Sequence, residues 1–120
     1  MRLEIETSVQ GDVSVLRCRG RIIYGEEADA LRERVAALLK GSAKIVLNLA
    51  GVHDMDSGGI GRVVGVFVSA RRAGGNIKFC QLTPKVHHVL KITGLLEVFE
   101  VVATEEEAVR SFTGGMKASA

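Results

Sequence analysis

A hydroxyl group flanked by carboxylates marks one short stretch of this 120-residue chain. Asp54, Asp56 and Ser57 stand close together, immediately before Gly58 and Gly59. The apolar residues that follow have the spacing of a core helix, so the stretch is placed at a helix N-terminus, where backbone N–H groups lack partners. Such a position suits nucleotide binding, nucleophilic catalysis, phosphoryl transfer through a carboxylate, or phosphorylation of the serine itself.

Nucleotide binding is the first alternative, because the glycines of Gly59–Gly65 follow a predicted strand and open a predicted helix. This arrangement superficially fits the dinucleotide fingerprint. However, acidic residues stand where a pyrophosphate would approach, and the next predicted strand, Ile77–Leu82, has no acidic residue for a ribose. Close packing of a helix on a sheet explains Gly61 and Gly65 equally well. The chain also has no Gly-Lys-Ser/Thr, which excludes a phosphate-binding P-loop.

Two enzymatic alternatives use the same residues. Asp56–Gly59 matches the nucleophile tetrad of chymotrypsin-like proteases, but that chemistry needs two β-barrels, and this chain is too short and too helical. The pair Asp54 and Asp56 is similar to the paired carboxylates of aspartate-nucleophile phosphatases, which is the best enzymatic alternative. Those enzymes need the first Asp at a strand end, a later lysine and a further acidic pair. The predicted strand ends at Leu49 and no Asp follows Asp56, so no catalytic residue is predicted.

No metal site and no cofactor are predicted. His87 and His88 are adjacent and point about 100° apart on a predicted helix, and His53 stands far from both in the sequence. Zinc needs several converging ligands, which this spacing does not offer. Cys18 and Cys80 lie in predicted strands without a Cys-x-x-Cys pattern, so we expect two buried, reduced thiols.

The composition limits the classes of partner and the cellular compartment that we expect for this protein. A net charge of +2, dispersed basic residues and 4% aromatic residues without Trp argue against a nucleic-acid partner. The longest apolar run, Val63–Ala70, is much shorter than the ~20 residues that a membrane helix needs. The N-terminus has no apolar signal region. We therefore expect a cytoplasmic protein without a membrane partner.

Ser57 remains, with two interpretations that the spacing alone leaves open. Asp56 or Ser57 could merely cap the helix. Alternatively, Ser57 could be phosphorylated, which would add about −1.5 to −2 charges. A helix N-terminus tolerates phosphate, whereas Asp54 and Asp56 would repel it. The fold would survive while the surface charge changed, as a reversible binding switch requires.

Hydrophobic patterning places these residues on elements. An opening hairpin turns at Gly11-Asp12, and a proline at the first helical position after Thr83 marks a helix start. Arg21 to Gly25 are predicted to form a connection, and Gly51 to Gly59 a turn. The predicted elements are strands near Leu3 and Ile5 and at Val13–Arg19, Lys44–Leu49, Asn76–Leu82 and Val98–Val102, and helices at Glu26–Lys40, Gly58–Ala73, Pro84–Gly94 and from Thr104 onward.

The predicted order of elements is β-β-α-β-α-β-α-β-α. Strands separated by helices favour a mainly parallel sheet with right-handed crossovers, to which the hairpin adds one antiparallel edge. The chain is thus an α/β protein. We expect a single domain over residues 1–113 and a flexible C-terminal tail over residues 114–120.

A set of short motifs runs along the chain in one register. On these residues, the segment from Ile45 to Phe112 resembles the STAS domain, and within it the small bacterial anti-sigma factor antagonists. The resemblance implies a STAS-like mixed β-sheet with about four helices mainly on one face. The matching residues are Ile45–Leu49, Met55–Gly61, Gly74-Gly75, Pro84-x-Val86, Leu90-x-Ile92-Thr93-Gly94-Leu95, Phe99 and Glu106-Glu107-Ala108.

The resemblance also implies a function without catalysis. Such antagonists bind an anti-sigma factor that is also a serine-protein kinase, and so release the sigma factor. The kinase then phosphorylates the antagonist and breaks the complex, and a PP2C-type phosphatase restores it. By position, the phosphorylated residue is Ser57 and the adjacent acidic residue is Asp56. The alternative is a STAS scaffold or ligand-binding module in a signalling complex, without a phosphorylation cycle.

Two departures from the family pattern concern the partner surface. The family has Asp-Ser-Ser/Thr-Gly, whereas Gly58 stands here in place of the second hydroxyl residue. The loop Gly20–Gly25 lacks the Asp that commonly follows Gly-x-Leu/Ile. In the family, this loop lies near the partner. The opening hairpin could also supply an edge for a homodimer. The predicted partner-binding residues are Tyr24, Asp54, Met55, Asp56, Ser57, Gly58 and Gly59.

Overall fold

The computed structural model describes the backbone of residues 2–118 and the side chains of residues 2–112. Five strands form one sheet in the order β1-β2-β3-β4-β5, and the succession of strands and helices is the predicted one. The elements are β1 (Glu4–Gln10), β2 (Val13–Ile22), α1 (Glu26–Leu38), β3 (Lys44–Met55), α2 (Ser57–Arg72), β4 (Asn76–Cys80), α3 (Pro84–Ile92), a 3₁₀ turn (Leu95–Glu97), β5 (Glu100–Val102) and α4 (Glu105–Ala118).

The sheet combines one antiparallel edge with parallel pairing. β1 and β2 form the predicted hairpin, in register from Glu4 opposite Arg19 to Gln10 opposite Val13. Gly11 turns the chain with φ 67°, a conformation that glycine adopts without a Cβ penalty. The pairs β2–β3, β3–β4 and β4–β5 are all parallel. The α/β fold with a mixed sheet is therefore confirmed.

Helices cover the two faces of the sheet unequally. Alternate residues of the strands point to opposite faces, and α1, α2 and α3 bury one face around residues such as Leu16, Leu47 and Phe79. Of the helices that the structure describes, α4 covers the other face, where Ala108 packs with a smaller cluster. The prediction of helices mainly on one face is thus confirmed. The smaller cluster consists of Val13, Val15, Val46, Cys80 and Ala108.

β3 is longer than predicted and carries the chain directly to the acidic stretch. It continues from Leu49 to Met55, so the prediction of a turn over Gly51–Gly59 is wrong. β2 also runs on to Ile22 and pairs with this extension, through two register shifts, so Arg21 belongs to a strand rather than to a connection. A Cβ on Gly51 would lie 2.9 Å from the Cys18 carbonyl oxygen. Glycine therefore permits the close strand approach at this irregularity.

Two apolar helix residues are exposed. Val68 is 40% exposed because α2 packs through Gly59, Val63, Val66 and Ala70, which leaves Val68 on the outer side. Ile92 is 68% exposed as the last residue of α3. Both free cysteines are buried as predicted. Burial raises the pKa of each thiol, Cys18 and Cys80, to about 12.

A polar cluster attaches the start of α4 to the sheet. Glu105 accepts hydrogen bonds from Arg17 Nε at 2.9 Å and Nη2 at 2.6 Å, and from Asn48 Nδ2 at 2.9 Å. Asn48 Nδ2 also donates to Gln81 Oε1 at 2.6 Å. The Arg17 guanidinium, and after it the Asn48 amide, hold the pKa of Glu105 below its usual value. The carboxylate is therefore ionised at neutral pH and links α4 to β2 and β3.

Replacing Arg17 with Met should lower the free energy of unfolding by about 1–3 kcal/mol, because Glu105 would keep its partly buried place without its cationic donor. The matched control is Arg19→Met, since Arg19 is 80% exposed and lies 3.8 Å from Glu4; it should change stability by less than about 0.5 kcal/mol. Urea unfolding at neutral pH measures both variants. Equal losses in the two variants would contradict this account of the cluster.

The same pair predicts a pH dependence. A carboxylate with a lowered folded-state pKa contributes stability above its unfolded pKa and loses it as the pH falls through the folded pKa. The difference between the wild type and Arg17→Met should therefore shrink in acid.

The last helix runs past residue 113, where the predicted domain ends. α4 ends at Ala118 and so includes residues 114–118, which the sequence analysis assigns to a flexible tail. Residues 119 and 120 lie outside the described residues. The domain limits of 1–113 and the flexibility of the tail stay predictions.

Candidate functional site

Asp56 links the start of α2 to the loop between β2 and α1. It is the N-cap of α2 in an extended conformation, and its Oδ1 accepts from the Gly59 backbone N–H at 2.8 Å. The Tyr24 backbone N–H donates to the same carboxylate, at 3.0 Å from Oδ1 and 3.2 Å from Oδ2. The bonds from Gly59 and then Tyr24 hold the pKa of Asp56 below its usual value. Asp56 is therefore ionised, caps the helix and fixes the loop.

Ser57 is the first residue of α2 and is exposed. Its hydroxyl thus lies at a helix N-terminus, where the aligned peptide dipoles favour negative charge. The first turn of α2 contains no acidic residue, and its last turn holds Arg71 and Arg72. A negative group on Ser57 would meet the helix N-terminus on one side and the Asp56 carboxylate on the other.

Asp54 is placed differently from Asp56. It lies near the end of β3, opposite Arg21 of β2, and is half-buried. Its Oδ1 accepts from the Met55 backbone N–H at 2.9 Å and lies 3.5 Å from Lys85 Nζ. The charge of Asp54 is therefore partly offset by a lysine that the sequence analysis missed. Lys85 is the second residue of α3, the helix that follows β4 in the chain, so the adjacency of the parallel strands β3 and β4 was the available signal.

Two glycines let the loop approach α2. A Cβ on Gly59 would overlap the carbonyl group of Ile22. A Cβ on Gly58 would lie 2.6 Å from Tyr24 Cβ and 2.9 Å from Tyr24 Cδ1, closer than real Cβ atoms approach. Any side chain at position 58 would thus have to displace Tyr24 from its place above the first turn of α2.

The predicted partner-binding residues divide by exposure. Tyr24, Asp56 and Ser57 are exposed, and Asp54 and Gly58 are half-buried. Met55, which is 4% exposed, and Gly59 belong to the interior. These two can support the site from below, whereas the other five are at least partly exposed, and Tyr24 contacts both Asp56 and Gly58. Their part in partner binding stays a prediction.

The geometry bears on the enzymatic alternative. Because β3 reaches Met55, Asp54 does lie at a strand end with Lys85 beside it, so the sequence objection based on the strand end is wrong. The objection based on a missing further acidic pair stands, since no Asp follows Asp56.

Among the residues that the structure describes, no group of three or more His, Cys, Asp or Glu side chains could hold a metal ion. Within the same part of the chain, no helix is long and apolar enough to cross a membrane.

Comparison with known proteins relates this arrangement to a family. The family model of the STAS domain matches residues 4–108, which include both cores of the sheet and the Asp56–Ser57 site. The chain belongs to the STAS domain family. This confirms the resemblance found in the sequence and extends it from Ile45 back to the opening hairpin.

Relatives of this STAS domain share its length as well as its fold. The anti-sigma-B factor antagonist of Bacillus subtilis is 28% identical over 107 residues, 89% of each chain. The anti-sigma F factor antagonist of Paenibacillus polymyxa is 28% identical over 111 residues, 91% of this chain and 94% of that protein. The crystal structure of the Thermotoga maritima protein TM1081 has a TM-score of 0.82 and 28% identity, with 89% and 92% of the two chains covered.

Proposed function

We propose that this STAS protein is an anti-sigma factor antagonist, a non-catalytic binding protein that is switched off by phosphorylation of Ser57. Its partner is an anti-sigma factor that is also a serine-protein kinase, and a PP2C-type phosphatase reverses the modification in the cytoplasm. The names of the Bacillus subtilis and Paenibacillus polymyxa relatives support the antagonist role. They name two different anti-sigma factors, so they support the class of partner rather than one sigma factor.

The observation that carries the proposal is the place of Ser57. It is an exposed hydroxyl at the first position of α2, between an ionised N-cap aspartate and Gly58. A kinase can reach such a hydroxyl without unfolding the chain. Gly58 replaces the family's second hydroxyl residue, so the motif offers a single acceptor.

The consequences of phosphorylation follow from charge. A phosphate carries about −1.5 to −2 charges at neutral pH, and the N-terminus of α2 would accommodate it. The Asp56 carboxylate is already committed to the Gly59 and Tyr24 N–H groups, so the new charge adds to the existing one. We expect the fold to persist and a partner surface matched to the unmodified site to be repelled.

Incubation with the cognate kinase and radiolabelled ATP tests the proposal. Label should enter the wild type, be absent from Ser57→Ala, and remain in Ser69→Ala, because Ser69 is an exposed serine on the same helix. Labelling of Ser57→Ala at the wild-type level would show that another residue is the acceptor. Release of phosphate from an ester substrate that is lost in Asp54→Asn would instead support the enzymatic alternative.

A further inference from the structure

Tyr24 combines a fixed backbone with a largely exposed side chain. The residue is 80% exposed, and it is the single tyrosine of the sequence. Its backbone N–H is held by both carboxylate oxygens of Asp56, one residue from the phosphoacceptor position. An exposed aromatic ring on a backbone that is already ordered loses little entropy when a partner covers it.

The backbone conformation of Gly58 does not explain why this residue is a glycine. It lies in the first turn of α2 without a positive φ, and glycine in a helix costs about 0.5–1 kcal/mol relative to alanine. The three atoms nearest to an ideal Cβ at position 58 all belong to Tyr24, with its Cβ at 2.6 Å, Cδ1 at 2.9 Å and Cα at 3.1 Å. Residue 58 is therefore glycine because residue 24 occupies the space of its side chain.

We propose that Tyr24 and Gly58 form a coupled pair that determines which partner this protein accepts. The Tyr24 ring is the anchor that enters an apolar cleft of the partner protein beside its Ser57-binding surface, and Gly58 keeps that ring in place. The glycine in place of the family's second hydroxyl residue thus has a structural cause in the loop between β2 and α1. This inference rests on the proposed function and names the specificity of the same site.

Other exposed apolar residues do not share this arrangement. Val9, Ile92 and Val98 are 65%, 68% and 58% exposed, but they lie on β1, at the end of α3 and before β5. In the described hydrogen bonds, the Tyr24 loop is the segment from elsewhere in the chain that bonds to the N-cap of α2. An anchor at Tyr24 would therefore sense the phosphorylation state of Ser57 directly.

Binding of the cognate kinase, measured by calorimetry without ATP, tests the coupling. Tyr24→Ala should weaken affinity about tenfold or more, as expected for an aromatic anchor, whereas Tyr24→Phe should stay within about threefold of the wild type because the ring remains. Gly58→Thr should match Tyr24→Ala. The double variant should be no weaker than either single variant, because both changes remove the same contact. Gly61→Ala, on the same helix with open space around it, should leave affinity unchanged.

A second measurement distinguishes displacement of Tyr24 in Gly58→Thr from unfolding of the whole variant. Amide hydrogen exchange of Tyr24 should be faster in Gly58→Thr than in the wild type, while exchange in β3 and β4 stays the same. If the wild type binds the kinase and Tyr24→Ala retains that affinity, the anchor role is wrong and the proposed function stands. If effects of Tyr24→Ala and Gly58→Thr add, the coupling is wrong. Absence of any binding by the wild type would overturn the proposed function itself.

Discussion

Ser57→Asp should reduce affinity for the anti-sigma factor about 100-fold or more, equivalent to about 2.7 kcal/mol or more. The substitution places a permanent negative charge beside the ionised Asp56, and burying an added charge without a matching countercharge in an interface costs several kcal/mol. Stability should move the other way. An acidic residue in the first turn of a helix is favourable by about 0.3–1 kcal/mol, so the free energy of unfolding should be unchanged or slightly higher.

The neutral control is Ser57→Asn, which has nearly the same size and can also cap or begin a helix. Its affinity should remain within about fivefold of the wild type, because no charge is added. Calorimetry gives the affinities, and urea unfolding gives the stabilities. Retention of full affinity by Ser57→Asp would remove the phosphorylation switch and favour the scaffold alternative, in which partners bind without a phosphorylation cycle.

Gly59→Ala should destabilise the protein by about 3 kcal/mol or more, because the new methyl group would collide with the Ile22 carbonyl group and force α2 away from β2. Gly61→Ala, two positions along the same helix, is the matched control. Nothing lies within 4 Å of its added Cβ, so it should stabilise the protein by about 0.5–1 kcal/mol through the helix propensity of alanine.

The two substitutions make the same chemical change in the same helix and should have opposite signs. Thermal or urea unfolding distinguishes them directly. If both variants were stabilised, the loop that carries Tyr24 would not be packed against α2 as described, and the fixed position of Tyr24 would lose its basis. If both were destabilised, the open surface at Gly61 would be in doubt.

The sequence predicts the architecture well, because apolar periodicity and capping residues are local signals. Neighbouring residues alone indicated a cap at Asp56 or Ser57, and a helix start at Thr83 with Pro84; Asp56 and Thr83 are the caps observed. The end of β3 was missed because Gly51, His53 and Asp54 have the composition of a turn. Their pairing depends on the extension of β2 to Ile22, a contact between segments far apart in the chain.

The residue types of the site were predictable from the sequence, but the contacts that hold those residues in place were not. Ser57 and its neighbours stand out by residue type, and the resemblance to STAS domains implies their role. The bond between Tyr24 and Asp56 joins residues 32 positions apart, and the steric relation of Tyr24 to Gly58 is equally non-local. Without coordinates, the glycine at position 58 was only a departure from a pattern, whereas the packing gives it a reason.

The cover that α4 gives to one face of the sheet has a consequence for folding during synthesis. Every residue of the Asp56–Ser57 site except Lys85 lies in the first half of the sequence, so strands and helices around it can assemble early on the ribosome. α4 follows all five strands in the chain, and until it docks, Val13, Val15 and Val46 lack its cover. Nascent chains with exposed apolar sheet surface are prone to aggregation. We therefore expect a stalled or truncated product ending before Glu105 to need chaperones, although its Asp56–Ser57 site is already complete.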